Sequence, residues 1–155
     1  MFKLSKVLVV AAVFATQTLA YAQEPAAATA VTHAAEQGDA KAQAQLGAMY
    51  LLGSGVEKNE QQAAEWFLKA ARQGYADAEI IVAALYDSGV GVKNDMPQAT
   101  HWYEQAAAHG HSTAQAILGK NAAAKGGVAF NYQAMRLSAS KQIPREYAKR
   151  LLLTQ

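Results

Sequence analysis

The chain has 155 residues, with 14 Lys and Arg against 12 Asp and Glu, and it contains no cysteine. The lack of cysteine excludes disulfide bonds, a cysteine nucleophile and thiolate ligation of a metal. Residues 23–110 hold five basic and eleven acidic side chains, whereas residues 111–155 hold seven basic ones and one acid, Glu146. This asymmetry indicates either solvated faces that help neighbouring segments to pack or a charged docking site.

The first 22 residues have the three-part pattern of a secretory signal peptide. Lys3 and Lys6 precede an apolar stretch over residues 7–15, and Ala20-Tyr21-Ala22 is a small-x-small cleavage site. The alternative is a membrane anchor, but spanning a bilayer takes about 20 apolar residues. We therefore expect cleavage after Ala22, no integral membrane segment afterwards, and a location in the periplasm or outside the cell.

A period of 36 residues governs most of the remaining chain. Gly38, Gly74 and Gly110 are each 36 apart, and the residues between them match in register. Periods of this length are typical of solenoids, in which each repeat is one supersecondary unit that packs on its neighbours. The period divides the chain into an Ala/Pro linker (23–30), a half repeat (31–38), two full repeats (39–74 and 75–110) and a degenerate repeat (111–142).

Each full repeat is predicted to contain two helices. In the first repeat, a helix over 40–52 ends at Gly53-Ser54-Gly55, because two glycines within three residues favour a turn. A second helix over 60–73 begins at Asn59, an N-cap residue, with Gln62 completing a capping box. The second repeat has the equivalent residues Asp95, Gln98 and Gly110.

The third copy diverges from the first two, as the last repeat of a solenoid commonly does. One deletion in its second helix places Ala134 and Leu137 on the apolar stripe. Pro144 predicts the start of a separate capping helix over 144–153, because proline is tolerated in the first turn of a helix. The apolar side of that helix is formed by Tyr147, Leu151 and Leu152.

The two full copies share the pattern A-x-A-x-x-x-L-G-x-x-Y, then G-x-G-V, then A-x-x-W-[FY]-x-x-A-A-x-x-G, with Val82 and Ala83 as conservative departures. This pattern resembles the Sel1-like repeat (SLR), a relative of the tetratricopeptide repeat, over residues 31 to about 141. The resemblance implies an all-α fold, a short right-handed superhelix whose first helices line a concave groove. It also implies a role in binding other proteins, since relatives serve mainly as adaptors.

By similarity to tetratricopeptide geometry, the groove is lined by the first helix of each copy. The small alanines there leave room for a peptide or a partner helix, and the larger apolar side chains supply contacts. The alternative is that some of these residues pack against the neighbouring repeat. The residues predicted to bind a partner are Lys41, Ala44, Ala48, Leu51, Leu52, Asp77, Ile80, Ala84, Asp87, Ser88, Thr113, Ala116 and Lys120, followed by Ala123 and Ala124.

His109 and His111 flank Gly110 and raise the alternative of a metal site. A zinc site takes three or four protein ligands, and the remaining histidines, His33 and His101, are distant in sequence. We therefore predict no metal, and we interpret the pair as exposed imidazoles in a turn between repeats. The chain has no P-loop or dinucleotide motif, so we predict no cofactor.

We expect a non-enzymatic periplasmic protein that holds another envelope or secreted protein, as a regulator, an assembly adaptor or an immunity protein, and that binds no nucleic acid. One alternative is an enzyme or ligand binder directed at the cell wall or at β-lactams, which resemblance to Cys-rich SLR proteins suggests. This chain departs from those relatives in having no cysteine. Another alternative is membrane-surface association through the basic C-terminal helix, with Arg145, Lys149 and Arg150.

Overall fold

A computed structural model describes residues 28–119 and 132–153 of the chain, and these residues form helices joined by short turns, with no strand among them. The signal peptide prediction lies outside the described residues. The first helix, α1, covers residues 28–36, so the predicted linker is wrong for its last three residues, which are helical. The other helices are α2 (Ala40–Leu52), α3 (Glu60–Arg72), α4 (Ala76–Ser88), α5 (Met96–Ala108), α6 (Ser112–Ile117) and α7 (Tyr132–Leu153).

Local side-chain caps explain why the repeat helices begin where they do. The carboxylate of Asp39 accepts a hydrogen bond from the backbone N–H of Ala42 at 2.6 Å, which caps α2. Asn59 caps α3 in the same way, 3.0 Å from the N–H of Gln62. Each bond satisfies one of the four N–H groups that a helix start leaves without a partner. The predicted N-caps of the second helices, Asn59 and Asp95, are thus confirmed.

The second half of the predicted capping box is replaced by a tertiary contact. The backbone N–H of Asn59 donates to the carbonyl of Tyr50 at 2.9 Å, so the Gln62 side chain is not its partner. The second repeat makes the equivalent bond from Asp95 to Tyr86 at 3.0 Å. This bond joins the end of the first helix of each repeat to the start of the second, which closes the helix-turn-helix unit.

Two glycines are required by close approaches between elements. A Cβ on Gly47 would lie 3.1 Å from the carbonyl oxygen of Ala63 and from two carbons of the Phe67 ring, so α2 and α3 pack tightly at this point. Gly91 has a φ of +69°, and a Cβ there would overlap the carbonyl of Glu60 in the preceding repeat. The second glycine of the turn therefore lets one repeat lie directly on the next.

The third copy differs from the prediction in its second helix. α6 is short, and α7 is one continuous helix with Pro144 inside it, so the prediction of a separate capping helix that begins at Pro144 is wrong. Ala134 and Leu137 lie in α7. Proline inside a helix removes one backbone hydrogen bond and crowds the preceding turn. Pro144 is buried, and its packing offsets part of that cost.

Candidate functional site

The face lined by the first helices of the repeats is occupied by the chain's own last helix. α7 lies against α2, α4 and α6. These three helices form the inner side of a helix-turn-helix solenoid, which we call the groove. α7 has an apolar side of its own to bury, and the groove is the apolar surface beside it. The groove is therefore filled by a helix of the same chain.

Apolar contacts hold α7 in the groove. Near its end, Ala148 and Leu151 are buried in one core cluster with Ala44, Ala48 and Leu51 of α2. One turn earlier, Ile143 belongs to a second cluster that includes Ile80 and Ala84 of α4. The alanines thus leave room for a helix, as the sequence indicated, and that helix comes from the same chain.

The predicted groove residues fall into three groups by exposure. One group is buried, a second group is half-buried, and Lys41 is exposed. Lys120, Ala123 and Ala124 lie outside the described residues. The buried group is Ala44, Ala48, Leu51, Ile80, Ala84 and Asp87, and the half-buried group is Leu52, Asp77, Ser88, Thr113 and Ala116.

Gln45 provides a polar contact inside the groove that sequence reasoning missed. It is buried, and its side-chain amide donates a hydrogen bond to the backbone carbonyl of Leu151 at 3.3 Å. The last four carbonyls of a helix have no partner within that helix. Gln45 therefore contacts the C-terminal turn of the docked helix through its backbone, which any helix ending at this point would offer.

A polar cluster surrounds Tyr147 at the other edge of α7. The Tyr147 hydroxyl and the Thr113 hydroxyl share a hydrogen bond at 3.2 Å, and the His111 ring lies 5.3 Å from the Tyr147 ring. The guanidinium of Arg150 lies over the same tyrosine ring, 5.3 Å from its centroid. Such a cation–π contact is worth about 0.5–1 kcal/mol at exposed sites. Tyr147 is thus fixed from α6, from the preceding turn and from its own helix.

Charges of opposite sign meet at this edge. One carboxylate oxygen of Asp77 lies 4.0 Å from Arg150 and 3.8 Å from Nε2 of His111. Burial lowers the pKa of His111, and Arg150 acts in the same direction, whereas Asp77 and Glu79 act against it. Burial, followed by the charge of Asp77, raises the pKa of Tyr75. Asp77 therefore links α4 both to α7 and to the turn before α6.

His109 and Glu79 form a pair that replaces a glutamine pair of the preceding repeat. In the first repeat, the Gln73 amide donates to Oε1 of Gln43 at 2.7 Å. Thirty-six residues later, Nδ1 of His109 lies 2.8 Å from Oε2 of Glu79, whose side chain is 2% exposed. A comparison of the two copies in the sequence would have revealed this change. The pair lines a cavity of about 320 Å³ together with Arg72, His101, Trp102 and Gln105.

The two histidines around Gly110 have separate partners. His109 pairs with Glu79 and His111 with Asp77, so the structure does not bring them to one point. The prediction that both are exposed is wrong for His111, whose side chain is 10% exposed. In residues 28–119 and 132–153, no group of three or more His, Cys, Asp or Glu side chains is placed to hold a metal ion.

The repeat register is also that of a known family. Residues 40–75 and 76–111 each match the family model of the Sel1 repeat. A solved Sel1 repeat protein from Oxalobacter formigenes is 40% identical, with a TM-score of 0.57, over 58% of this chain and 68% of that one. The chain belongs to the Sel1 repeat family. Sel1 repeats are generally protein–protein interaction modules.

A second solved Sel1-type structure extends the comparison. It is a protective antigen present in uropathogenic Escherichia coli strains that displays an SLR fold. That protein is 31% identical, with a TM-score of 0.57, and the match covers 81% of this chain. The match covers 26% of the antigen, so this Sel1 repeat chain spans about a quarter of it. No curated protein matches the chain at a significant level.

Apolar exposure is low where the structure describes it. In residues 28–119 and 140–153, Leu153 is the one large hydrophobic side chain that is exposed, at 83%. No helix in the described part of the chain is long and apolar enough to cross a membrane. The apolar side of the basic C-terminal helix is turned to the repeats, because Leu151 is buried and Tyr147 half-buried. The groove is an apolar surface at which α7 meets helices from distant parts of the sequence.

Proposed function

We propose that this Sel1 repeat protein is a non-enzymatic interaction module of the bacterial periplasm, which binds a helical segment of another envelope protein in the groove of α2, α4 and α6. The observation that carries the proposal is the seating of α7 in that groove. An amphipathic helix laid into an apolar groove is a recurring mode of recognition between proteins. The signal-peptide pattern in residues 1–22 supports the periplasmic location.

The distribution of apolar surface supports the same choice of site. Stable recognition relies on a few apolar or aromatic anchors that become fully desolvated. Within residues 28–119 and 140–153, the surface outside the groove offers one exposed large hydrophobic side chain, Leu153. The half-buried residues at the groove edges, such as Asp77 and Thr113, supply polar groups for orientation.

Site-specific photo-crosslinking in intact bacteria tests the proposal. A photo-reactive residue at Lys41 or Ser88, on the first helices of the two repeats, is expected to capture one discrete envelope protein. The matched control positions are Gln62 and Gln98, which are exposed on the second helices of the repeats. Equal capture from all four positions, or capture from the second helices alone, would contradict a groove site. Recovery of the protein from the cytoplasmic fraction would contradict the location.

A separate measurement tests each of the two alternatives, an enzyme and a protein of the membrane surface. Turnover of a β-lactam or of peptidoglycan fragments by the purified protein would show that it is an enzyme and not an interaction module. Binding to anionic liposomes that disappears at high salt would favour the membrane surface. That second outcome requires α7 to leave the groove first, because Leu151 is buried there.

A further inference from the structure

α7 has the features of a docked peptide ligand. Its buried residues recur at helical spacing, Ser140, Ile143, Ala148 and Leu151, with Tyr147 half-buried beside them. Its other face is exposed and charged, and residues 140–153 carry four basic side chains against one acid. Anchors at intervals of three, four and seven residues are typical of helices bound in grooves.

An acidic residue of the groove lies beside a basic residue of α7, since Asp77 of α4 is 4.0 Å from Arg150. Residues 23–110 as a whole carry six more acidic than basic side chains. A single exposed ion pair contributes little, but the net negative charge of this part of the chain favours approach of a basic helix and is screened by salt. The favoured occupant of the groove is therefore basic as well as amphipathic.

The position of the helix end is specified by Gln45. This buried side chain donates to the carbonyl of Leu151 in the last turns of α7. The contact uses backbone, so it selects where a helix ends in the groove rather than which side chain it carries. A partner that fits the groove thus places an apolar anchor at the Ile143 position and its C-terminal turn eight residues later.

Pro144 makes α7 a weaker helix than a proline-free competitor. It lies inside the helix and removes one of the backbone hydrogen bonds. α7 therefore owes its helical form more to docking than to its own propensity. A basic amphipathic helix without an internal proline gains the same groove contacts, and the free-energy cost of its becoming helical is smaller.

We propose that α7 is an exchangeable occupant of the groove, and that the partner is a basic amphipathic helix of another protein that displaces it. This inference rests on the proposed function and adds the chemistry of the partner and the element that regulates access. As part of the same chain, α7 competes at an effective concentration on the order of millimolar. Its docking therefore keeps the groove closed to weak or poorly matched helices.

A fluorescent peptide with the sequence of residues 138–153 tests the exchange on the full chain. In the variant Ala148→Glu, a charge at a fully buried position of α7 is expected to eject that helix and to leave the groove vacant. Peptide affinity, measured by anisotropy, should rise at least about tenfold over wild type because the linked competitor is gone. The matched control is Gln142→Glu, which adds the same charge at an exposed position of α7 and should bind like wild type.

Two further variants test the recognition chemistry. Gln45→Ala, in the Ala148→Glu background, should weaken peptide binding by about two- to tenfold, the equivalent of one net hydrogen bond. A peptide carrying Pro144→Ala should bind more tightly than the native sequence, because it is more helical when free. Unchanged affinity in both cases would overturn the assignment of the groove as the peptide site.

Hydrogen exchange on the wild-type protein covers the case in which Ala148→Glu does not fold. Millimolar peptide should speed amide exchange in α7 while leaving α2 and α4 protected. Failure of the peptide to do so, or a folded Ala148→Glu variant that does not bind it, would overturn the proposal. A concentration-dependent dimer that exchanges α7 between copies would also overturn it, since the occupant would be a second copy. If the peptide exchanges with α7 but photo-crosslinking captures no envelope protein, the proposed function is wrong while the exchange of α7 stands.

Discussion

The side-chain amide of Gln45 donates a hydrogen bond to the backbone carbonyl of Leu151, 3.3 Å away and 106 residues later in the chain. The bond joins the first full repeat to the last helix and crosses the groove between them. It lies beside a core cluster in which Ala148 and Leu151 of α7 pack with residues of α2 and α4. Stability and access to the groove are therefore coupled through α7.

Truncation of Leu151 should destabilise the whole protein. The side chain is 3% exposed, so Leu151→Ala leaves a cavity, and we expect a loss of about 2–5 kcal/mol in the free energy of unfolding. The measurement is urea unfolding followed by circular dichroism. Leu153→Ala is the control, because Leu153 is exposed and its change should stay within about 0.5 kcal/mol. Equal effects would mean that α7 does not pack as described.

A glycine-to-alanine change in the first repeat and the reverse change at the equivalent position of the second should both destabilise the protein. Gly47→Ala places a Cβ against Ala63 and Phe67, and the expected cost of about 1–3 kcal/mol exceeds the gain of about 1 kcal/mol in helix propensity. Ala83 occupies the same position 36 residues later, and Ala83→Gly should cost about 1 kcal/mol. Thermal unfolding of both variants is the measurement. A Gly47→Ala protein that gains stability would show that α2 and α3 pack less closely.

Replacement of Pro144 distinguishes one continuous helix from two. Inside α7, Pro144→Ala restores a backbone hydrogen bond, and we expect the free energy of unfolding to rise by about 1–2 kcal/mol. This gain is smaller than the roughly 3 kcal/mol cost of an interior proline, because the substitution also removes the buried ring. At the start of a separate helix, the same change would be nearly neutral. Chemical unfolding of the variant decides between the two, and a neutral result would support a helix that begins at residue 144.

Acidification should destabilise the contact around His111. Because burial lowers the pKa of His111 in the folded protein, the unfolded chain binds a proton first as pH falls below about 6.5. Stability is then lost on acidification until pH drops below the folded-state pKa of His111. Asp77, Glu79 and Arg150 are the charged groups that act on this imidazole.

The variant His111→Gln isolates that contribution. It titrates no proton at this position, so the fall in unfolding free energy between pH 7.5 and pH 5 should be smaller than in wild type. The control is His101→Gln, which removes an exposed histidine of α5. A pH dependence identical in all three proteins would rule out His111 as the group responsible.

The pair of Glu79 and His109 should behave as a unit. His109→Ala leaves a buried carboxylate without its hydrogen-bond donor, and we expect a cost of about 1–3 kcal/mol. The double variant Glu79→Gln/His109→Gln reproduces the Gln43 and Gln73 pair of the first repeat and should recover most of that loss. A double-mutant cycle that includes the single variants Glu79→Gln and His109→Gln, with the free energy of unfolding in urea as the readout, measures the coupling. Additive single effects would argue that the two side chains do not interact.

Much of the repeat could be derived from the sequence because its signals are local. Asn59 and Asp95 cap helices through bonds to residues three positions later, and the 36-residue period set the register of α2 to α5. The capping box was only half right, since the N–H of Asn59 bonds to Tyr50 across the turn. That contact depends on how two helices cross, which the local pattern does not specify.

The groove residues were predicted from the fold of relatives, and those that the structure describes lie on α2, α4 and α6, as the repeat register indicates. Their burial beneath α7 was missed. Pro144 indicated a boundary because proline disfavours helix interiors, but burial in the groove outweighs that local preference. Likewise, Glu79 and His109 were visible as departures between copies, but only folding brings the two side chains within 2.8 Å.

The sequence by itself determined the repeat, its helices and its family, because caps, turn glycines and apolar spacing act within a few residues of each other. The tertiary structure alone decided where the last helix lies, and so whether the groove is open. That outcome depends on shape and charge complementarity between α7 and helices up to about a hundred residues earlier, exemplified by Gln45 and Leu151. Contacts of such separation carry no signature in the spacing of residues along the chain.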